Sequence, residues 1–510
     1  KKAEENSGIF SLTVPTGGGK TLSSMSFALR HAVKHDLRRV IVVIPFTSII
    51  EQNAGKYKEA LGIQNVIEHH SSIDPEKEKE EKKAELYELH KFAVENWDAP
   101  VIVTTSVQFF ETLFSANPAR SRKLHNISRS VIILDEIQTL PPEFLHSILD
   151  ALKQLKECYG CSIVLSTATP PALAKRDNFP QGLPEITPII EKPSELAEKL
   201  KRIDISWPDI HEPPQKITDL ADMLENVDED QFLCIVHKRK DARELAEELV
   251  NRDITDVIHL SALMCPAHRL KKINFINEKL KNKQPCRVIS TQLVEAGVDL
   301  DFPVVYRSLA GLDSIVQAGG RCNREGLLDI GKVNVFLPSG KPPPGAPEAA
   351  MQVMKTMLKN VGGQLSVEDP SIFEKYFRKF YLTREPDKMN IQRDRRDFNF
   401  ASVGKNFKLI QDGFTYSIIV PYGESEERLS ELRKAIDMEI PTRDRLRALQ
   451  PFCVNIYEKA FNALIKAGAI EELMNDVYSL YPQFHHLYDE DFGLVIGDDL
   501  PLADYQTLIQ

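Results

Sequence analysis

An α/β fold, with two parallel-sheet domains in tandem and a mixed C-terminal region, follows from three observations on the 510 residues. Short, continuous, β-branched runs recur through the first 190 residues and again through residues 232–338, and such runs suit strands buried on both faces of a parallel sheet. Helical segments alternate with them, as βαβ units require. A Pro- and Glu-rich stretch, Glu191–Lys216, reads as a linker between the two sets, and SGKPPPGAP (Ser339–Pro347) breaks off the second. The chain is longer than one hydrophobic core ordinarily serves. The expected divisions are residues 1–200, 201–345 and 346–510.

In order along the chain, IFSLTV (Ile9–Val14) is a strand that runs into a Gly-rich turn, and Thr21–His35 is the helix after it. Arg39–Pro45, Ala99–Thr105, Ser130–Glu136 and Cys161–Thr169 are further strands. Pro75–Phe92 interrupts them with mixed charge; Leu86, Leu89 and Phe92 recur at helical spacing, which predicts an inserted solvated helix. In the second set Phe232–Val250 is a strand then a helix, while Cys286–Gln292, Val304–Leu309 and Lys332–Pro338 are strands. Beyond it Pro347–Asn360 reads as helix, Lys408–Pro421 as strand, and Thr442–Ala467 and Ile470–Tyr481 as helix.

Composition narrows the setting. No apolar run approaches the roughly 20 residues of a membrane span, and the N-terminal KKAEENSGIF lacks a signal peptide's apolar core. Seven scattered cysteines, an odd number, suit a reducing cytoplasm better than a disulfide framework. No membrane partner is expected. A net charge of −10 means that the overall field does not gather nucleic acid. A narrow groove with a local basic lining remains compatible with that total.

Four motifs carry chemistry. In VPTGGGKT (Val14–Thr21), Thr16, Gly17, Gly18 and Gly19 form a turn whose backbone N–H groups can close around phosphate oxygens at a helix N-terminus. Lys20 is expected to meet the β- and γ-phosphates of ATP, and the Thr21 hydroxyl to bind magnesium. Val14 stands where the strict pattern has Gly. In LDEIQ (Leu134–Gln138) Asp135 is expected to hold magnesium, directly or through water, and Glu136 to polarise the attacking water. Thr167 and Thr169 in STATP, with Gln138, are candidates for coupling nucleotide state to the neighbouring domain. In QAGGRCNR (Gln317–Arg324), Gln317 joins the nucleotide-binding set, while Arg321 and Arg324 can neutralise charge developing on the γ-phosphate.

Between these lie weaker candidates. Gly297 and Asp299 in STQLVEAGVDLD are placed to approach nucleotide, and Thr291 to reach a nucleic-acid phosphate. Thr47, Thr105 and Ser106 follow strand ends, where open α/β sheets bind ligands, and can track a phosphodiester backbone without reading bases. Cys158 and Cys161 form a CxxC with no second pair to complete a zinc site. Lys375–Arg396 mixes basic residues with Tyr376, Phe377, Phe380 and Tyr381, a composition open to nucleic-acid contact.

At these residues the chain resembles a superfamily 2 helicase, and more narrowly the helicase part of the type I CRISPR-associated helicase-nucleases. The narrower resemblance rests on IPFTSIIEQN, EHHSS (Glu68–Ser72), LDEIQTLPP, STATPP and above all Thr291–Gly326. HHLYDEDFGL (His485–Leu494) is similar to that family's C-terminal domain. The resemblance implies two RecA-like domains with ATP and magnesium between them. It also implies movement 3′ to 5′ along single-stranded DNA, and recruitment by a Cascade-type surveillance complex after its guide RNA displaces a strand. It further implies an HD nuclease, as a domain or a separate subunit, with its own transition metal. The stretch before Val14 is too short to hold that domain or an upstream glutamine motif, so a truncated chain or a separate nuclease polypeptide is expected. Two other readings stay open: an RNA or DNA-repair translocase, and a nucleotide-gated interaction module without motor activity.

Overall fold

The computed structural model describes residues 1–70, 92–295, 297–409 and 415–496, with the side chains of residues 47–49 and 51 left undescribed. The first sheet has seven strands: β1 (Ile9–Thr13), β2 (Arg39–Ile44), β3 (Val66–His69), β4 (Val101–Thr105), β5 (Ser130–Asp135), β6 (Ser162–Thr167) and β7 (Thr187–Pro188). Their order is β3-β4-β2-β5-β6-β1-β7 and every pairing is parallel. Alternate residues sort to opposite faces. Ile41, Val43, Ile102, Ile132 and Ile163 enter one core, and Val40, Val42, Val101, Val103 and Val131 the other. That is why these strands read as unbroken apolar runs. The principal helices covering the sheet are α1 (Lys20–Lys34), α2 (Thr47–Leu61), α3 (Ser106–Phe114) and α4 (Leu145–Glu157).

The presumed linker contains structure. Its α5 (Pro193–Lys199) packs through Leu196 on the first domain's core, and β8 (Ile203–Ser206) is the edge strand of the second sheet. Ile203 and Ile205 alternate with Asp204 and Ser206, the period-2 signal that the surrounding Pro and Glu residues concealed. The second sheet adds β9 (Gln231–Ile235), β10 (Val257–Leu260), β11 (Cys286–Ser290), β12 (Val304–Ser308) and β13 (Gly331–Phe336). Its order is β10-β11-β9-β12-β13-β8, again all parallel. Its helices include α6 (Arg239–Asn251), α7 (Pro266–Lys281) and α8 (Leu312–Gly319).

From there the chain returns to the first domain. Helices α9 (Ala346–Asn360) and α10 (Pro370–Leu382) pack against α8, with Tyr376 Oη donating to Asp313 Oδ1 at 3.1 Å. Next α11 (Ile391–Arg396) and α12 (Phe400–Asn406) dock on the first domain. Ile391, Val403 and Phe407 join its core, the Phe407 ring stacks on Phe114 at 3.9 Å, and Arg395 pairs with Asp150 at 2.7 Å.

The C-terminal region builds a mixed four-stranded sheet, β15-β14-β17-β16, from β14 (Thr415–Ile419), β15 (Cys453–Tyr457), β16 (Ile470–Met474) and β17 (Val477–Leu480). Two helical expectations fail here. Within Thr442–Ala467 the strand β15 separates α13 (Arg443–Leu449) from α14 (Glu458–Lys466), because Pro451 ends the first helical run. Ile470–Tyr481 is mostly the β16–β17 hairpin, whose apolar spacing imitates a helix. Its Asn475-Asp476 turn, with Asp476 at φ 61°, decides the matter. The strand expected over Lys408–Pro421 is β14, with residues 410–414 outside the described set. The helix expected over Pro75–Phe92 lies outside it too, save its last residue.

This region sits on the second domain through a small hairpin, β18 (Tyr488–Asp489) and β19 (Gly493–Leu494). Tyr488 Oη accepts from Cys265 N at 3.0 Å and lies 3.0 Å from His268 Nδ1, while Leu494 N donates to Leu263 O at 2.8 Å. No helix among the described residues is long and apolar enough to cross a membrane.

Gly493 sits at φ 76°, and a methyl group there would stand 2.5 Å from Leu263 O. Gly493→Ala is therefore expected to destabilise the folded chain by about 1–3 kcal/mol. A fall in the denaturant midpoint measures it, with Asp491→Ala, on the exposed rim of the same hairpin, as the near-neutral control.

Candidate functional site at the interdomain cleft

All strands of the first sheet end on one edge, and there β1 hands over to the Gly-rich turn. Val14 N donates to Thr167 O at 3.2 Å, which ties the turn to the end of β6. Gly17 and Gly19 take φ of 79° and 78°, left-handed values that glycine adopts freely. Gly19 caps α1 without any side-chain bond, so the first N–H groups of the helix are left for a ligand.

Lys20, at the start of α1, turns its ammonium onto the two carboxylates after β5. It bonds Glu136 Oε1 directly and lies 3.4 Å from Asp135 Oδ1. Burial works against all three charges. For Lys20 the two carboxylates outweigh it and raise the ammonium pKa. For Glu136, Lys20, Gln138 and the field of Arg321 outweigh burial and lower it; Asp135, repelled by Glu136, stays raised by burial. Glu136 also holds φ 47°, a strained turn beside the Gly-rich Val14–Thr21 segment, the P-loop.

From Glu136 a chain of hydrogen bonds leads along the edge. Gln138 Nε2 donates to Glu136 Oε2 at 2.7 Å, Thr167 Oγ1 donates to Gln138 Oε1 at 2.6 Å, and Thr169 N donates to Thr167 Oγ1 at 2.9 Å. The coupling residues expected from sequence are thus one connected path. Ser166 Oγ donates to Asp135 Oδ1 at 3.1 Å and fixes the other carboxylate.

The opposite wall comes from the second domain. A methyl group on Gly320 would stand 2.7 Å from Thr16 Cγ2, and one on Gly17 would lie 3.4 Å from Arg324 O, so the P-loop and the arginine turn are in contact. Arg321 is buried, donating from Nε to Val294 O at 2.8 Å and from Nη2 to Glu295 O at 2.6 Å. Burial, with Arg324 nearby, lowers its pKa to about 10, which leaves it charged at neutral pH. Arg324 bonds Asp299, and Asp299 also accepts from Gln52 Nε2 on α2, so this pair bridges the domains. Arg324 N donates to Asp301 Oδ1 at 2.6 Å.

The remaining candidates are more scattered. Gln317 is half-buried on α8, one turn before Arg321, and Gly297 holds φ 80°. Thr105 caps α3, its hydroxyl accepting from Gln108 N at 3.0 Å, and Ser106 opens that helix. Thr291 is fully buried with no partner for its hydroxyl. Thr47 opens α2, but its side chain lies outside the described residues. Cys161 is buried and donates to Ile127 O at 3.2 Å; Cys158 is exposed, and no metal-binding group of His, Cys, Asp or Glu forms among the described residues. Tyr376, Phe377 and Phe380 are core residues, which removes the stacking platform suggested for Lys375–Arg396.

Gln52, Ser166, Asp301 and Glu295 are new to the site. Three of them lie inside motifs already singled out, one or two positions from a named residue, and Gln52 lies in IPFTSIIEQN. The whole sets a Gly-rich turn and paired carboxylates opposite two arginines across a cleft.

Thr167→Val removes the hydroxyl that joins Gln138 to Thr169 and leaves a buried acceptor and donor unmatched. It is expected to destabilise by about 1–3 kcal/mol in chemical unfolding. Lys20→Met strands two buried carboxylates, whose folded pKa values then rise above the unfolded ones of about 3.9 and 4.3. The folded variant would hold protons that the unfolded chain releases, so its deficit against wild type should grow from pH 5.5 to pH 8. In wild type the depressed Glu136 contributes in the other sense: stability present above its unfolded pKa is lost as pH falls through the folded one. Urea unfolding at the two pH values measures the difference.

Residues 4–176 match the DEAD/DEAH box helicase family, and residues 228–327 match the family described as CRISPR-associated nuclease/helicase Cas3, C-terminal. The CRISPR-associated nuclease/helicase Cas3 of Haloferax volcanii is 26% identical over 561 residues, covering 85% of this chain and 60% of that protein. Its namesake in Methanothermobacter thermautotrophicus is 26% identical over 345 residues, covering 64% of this chain and 40% of that one. The chain thus spans 60% or less of these relatives. In fold it is similar to T. fusca Cas3 solved with ATP, with a TM-score of 0.64 at 15% identity over 94% of this chain and 66% of the other. It is also similar to a chain of a CRISPR RNA-guided surveillance complex, pre-nicking, with a TM-score of 0.59 at 14% identity over 94% of this chain and 65% of that one. In sequence and in fold the chain is thus similar to proteins named CRISPR-associated nuclease/helicase Cas3, over part of their length, and residues 4–176 match the DEAD/DEAH box helicase family.

Proposed function

We propose that the chain is an ATP-dependent single-stranded-DNA translocase of a type I CRISPR interference system. It would move 3′ to 5′ on a strand displaced by a surveillance complex and its guide RNA, and feed that strand to an HD nuclease. The observation that carries the ATPase is the apposition of the Lys20–Asp135–Glu136 cluster and P-loop to Arg321 and Arg324 across the cleft. The Cas3 names of the relatives support the CRISPR setting.

ATP would take the cradle of Thr16–Thr21 and draw the Lys20 ammonium off the carboxylates and onto its β- and γ-phosphates. Glu136, released from Lys20 but still oriented by Gln138, would then accept a proton from the attacking water. Arg324 and the outer face of Arg321 would meet the charge growing on the γ-phosphoryl group. The Thr21 hydroxyl and the Asp135 carboxylate, held by Ser166, are the hard oxygen donors that magnesium accepts. When bound, magnesium would neutralise phosphate charge there. A changed Glu136 position would pass through Gln138 to Thr167 and Thr169. Domain closure and opening would alternate the grip of the Thr47, Thr105–Ser106 and Thr291 segments on DNA phosphates.

The C-terminal region would cap the DNA path. Its helix α13 brings Arg447 close enough to act on His69 of the first domain. Burial first, then the charges of Lys123, His70 and Arg447, lower that histidine to about 3.

Glu136→Gln should bind ATP yet turn it over roughly 10²- to 10⁴-fold more slowly, the usual contribution of a general base. Arg324→Ala should lose hydrolysis by about 10³-fold or more while retaining nucleotide binding. Turnover measured side by side with single-stranded DNA, RNA and no nucleic acid tests the substrate: stimulation by RNA alone would favour an RNA translocase. Absence of turnover with all three would leave a nucleotide-gated interaction module.

A further inference from the structure

The hinge between the domains runs directly beneath the P-loop. Leu200, the last residue of α5's capped end, lies on the first domain's side, where a methyl group on Gly18 would stand 3.2 Å from Leu200 Cδ1. Ile203 begins β8 of the second sheet, and a methyl group on Gly319 would stand 2.7 Å from Ile203 Cδ1. Only Lys201 and Arg202 lie between them. The hinge, the P-loop and the end of α8 are therefore one contact.

Arg202 fills the middle of it. Its backbone carbonyl accepts from Asn323 Nδ2 at 2.9 Å and Gly331 N at 2.8 Å, which fixes the residue to the second domain. Its Nη1 donates to the backbone carbonyl of Arg324. The guanidinium itself lies between two glycines: a methyl group would stand 3.1 Å from Nη1 on Gly17 and 3.6 Å from Cζ on Gly326. Gly17 belongs to the cradle, and Gly326 to the turn that carries Arg324. Both hold left-handed φ, 79° and 71°, so the fork sits in a slot that backbone conformation and missing side chains together leave open.

We infer that Arg202 is a positioning residue for the arginine finger: a latch at the hinge that sets the Arg324 turn in register over the P-loop. This rests on the proposed ATPase reading. The turn has its own tethers inside the second domain, Arg324 N to Asp301 Oδ1 and Asn323 N to Phe302 O at 2.9 Å, so it stays folded without Arg202. What Arg202 adds is the turn's place relative to the cradle. A planar, always charged fork suits this, because it can donate to a carbonyl while its face packs on glycine backbone. Loss of the latch would leave ATP bound normally by the cradle but misplace the group that meets the transferring phosphoryl. The effect therefore falls on kcat and spares KM.

The test combines turnover with a nucleotide-free distance measurement. Arg202→Ala should lower DNA-stimulated kcat about tenfold, the worth of one charge-assisted hydrogen bond, with the KM for ATP changed less than about twofold. Arg202→Lys should recover part of the loss. Combined with Arg324→Ala, Arg202→Ala should add nothing, since it acts through the group already removed. Spin labels at the exposed positions Val33 and Leu327, in a Cys158→Ser background, should give a single narrow distance in the parent and a broadened one in Arg202→Ala. An unchanged kcat, multiplicative losses in the double variant, or an unchanged distance distribution would each overturn the latch. A parent that hydrolyses no ATP, with the distance still narrow in it and broadened in Arg202→Ala, would overturn the ATPase reading and leave the latch standing.

Discussion

Three charges share one buried position where Lys20 meets Asp135 and Glu136, and none of them is tolerable there alone. Removing a partner from such a group is severe because a charge is left in a poorly solvated place. The grouping therefore fixes where α1 starts relative to the end of β5, although β6 lies between β1 and β5 in the sheet. It also keeps the cradle in shape before any ligand arrives. A nucleotide that took the ammonium for its phosphates, as proposed, would have to supply something in return for the carboxylates, and a divalent cation beside Asp135 would do so.

The hydrogen-bonded path from Glu136 through Gln138 to Thr167 would give that charge exchange, in the proposed cycle, a mechanical outlet. Both links are short bonds, from half-buried Glu136 to buried Gln138 and Thr167, and Thr167 O also accepts from Val14 N of the Gly-rich turn. The Gly-rich turn and the Glu136 carboxylate are therefore referred to one strand end, β6. On the other side of the cleft Arg321 is pinned by backbone carbonyls, whereas Arg324 pairs with Asp299, which in turn accepts from Gln52 of the first domain. One arginine is tied to the backbone of its own domain, and the other to a carboxylate that also meets the facing domain.

Much of this was legible in the sequence because it is local. The cradle, the DE pair and the QAGGRCNR arginines are contiguous runs whose chemistry survives without knowing the fold, and Gln138, Thr167 and Thr169 stood in motifs whose neighbours identified them. Arg202 was not legible. Its partners are a backbone carbonyl and two glycines, and no spacing of side-chain types encodes such a slot. The strand β8 was hidden for a related reason: four residues of alternation are easily outweighed by the Pro and Glu around them. In the C-terminal sheet the apolar spacing of Ile470, Met474 and Val477 satisfies a helix and a hairpin equally, and only the Asn-Asp turn distinguishes them. Thr105 shows a different limit: sequence places it at a strand end, but its hydroxyl is engaged in capping α3.

The route of the chain after the second sheet has its own consequence. Having crossed at Lys201–Arg202, it returns to the first domain, where Phe407, Ile391 and Arg395 anchor α11 and α12, and then settles on the second domain again through β14 and the Tyr488–Leu494 hairpin. The two halves are thus joined by straps at separate places rather than by a single thread. A body held this way can rock about the line between its straps but cannot drift apart. A protease that cuts the backbone at the hinge would leave both halves in one particle, still facing each other across the cleft.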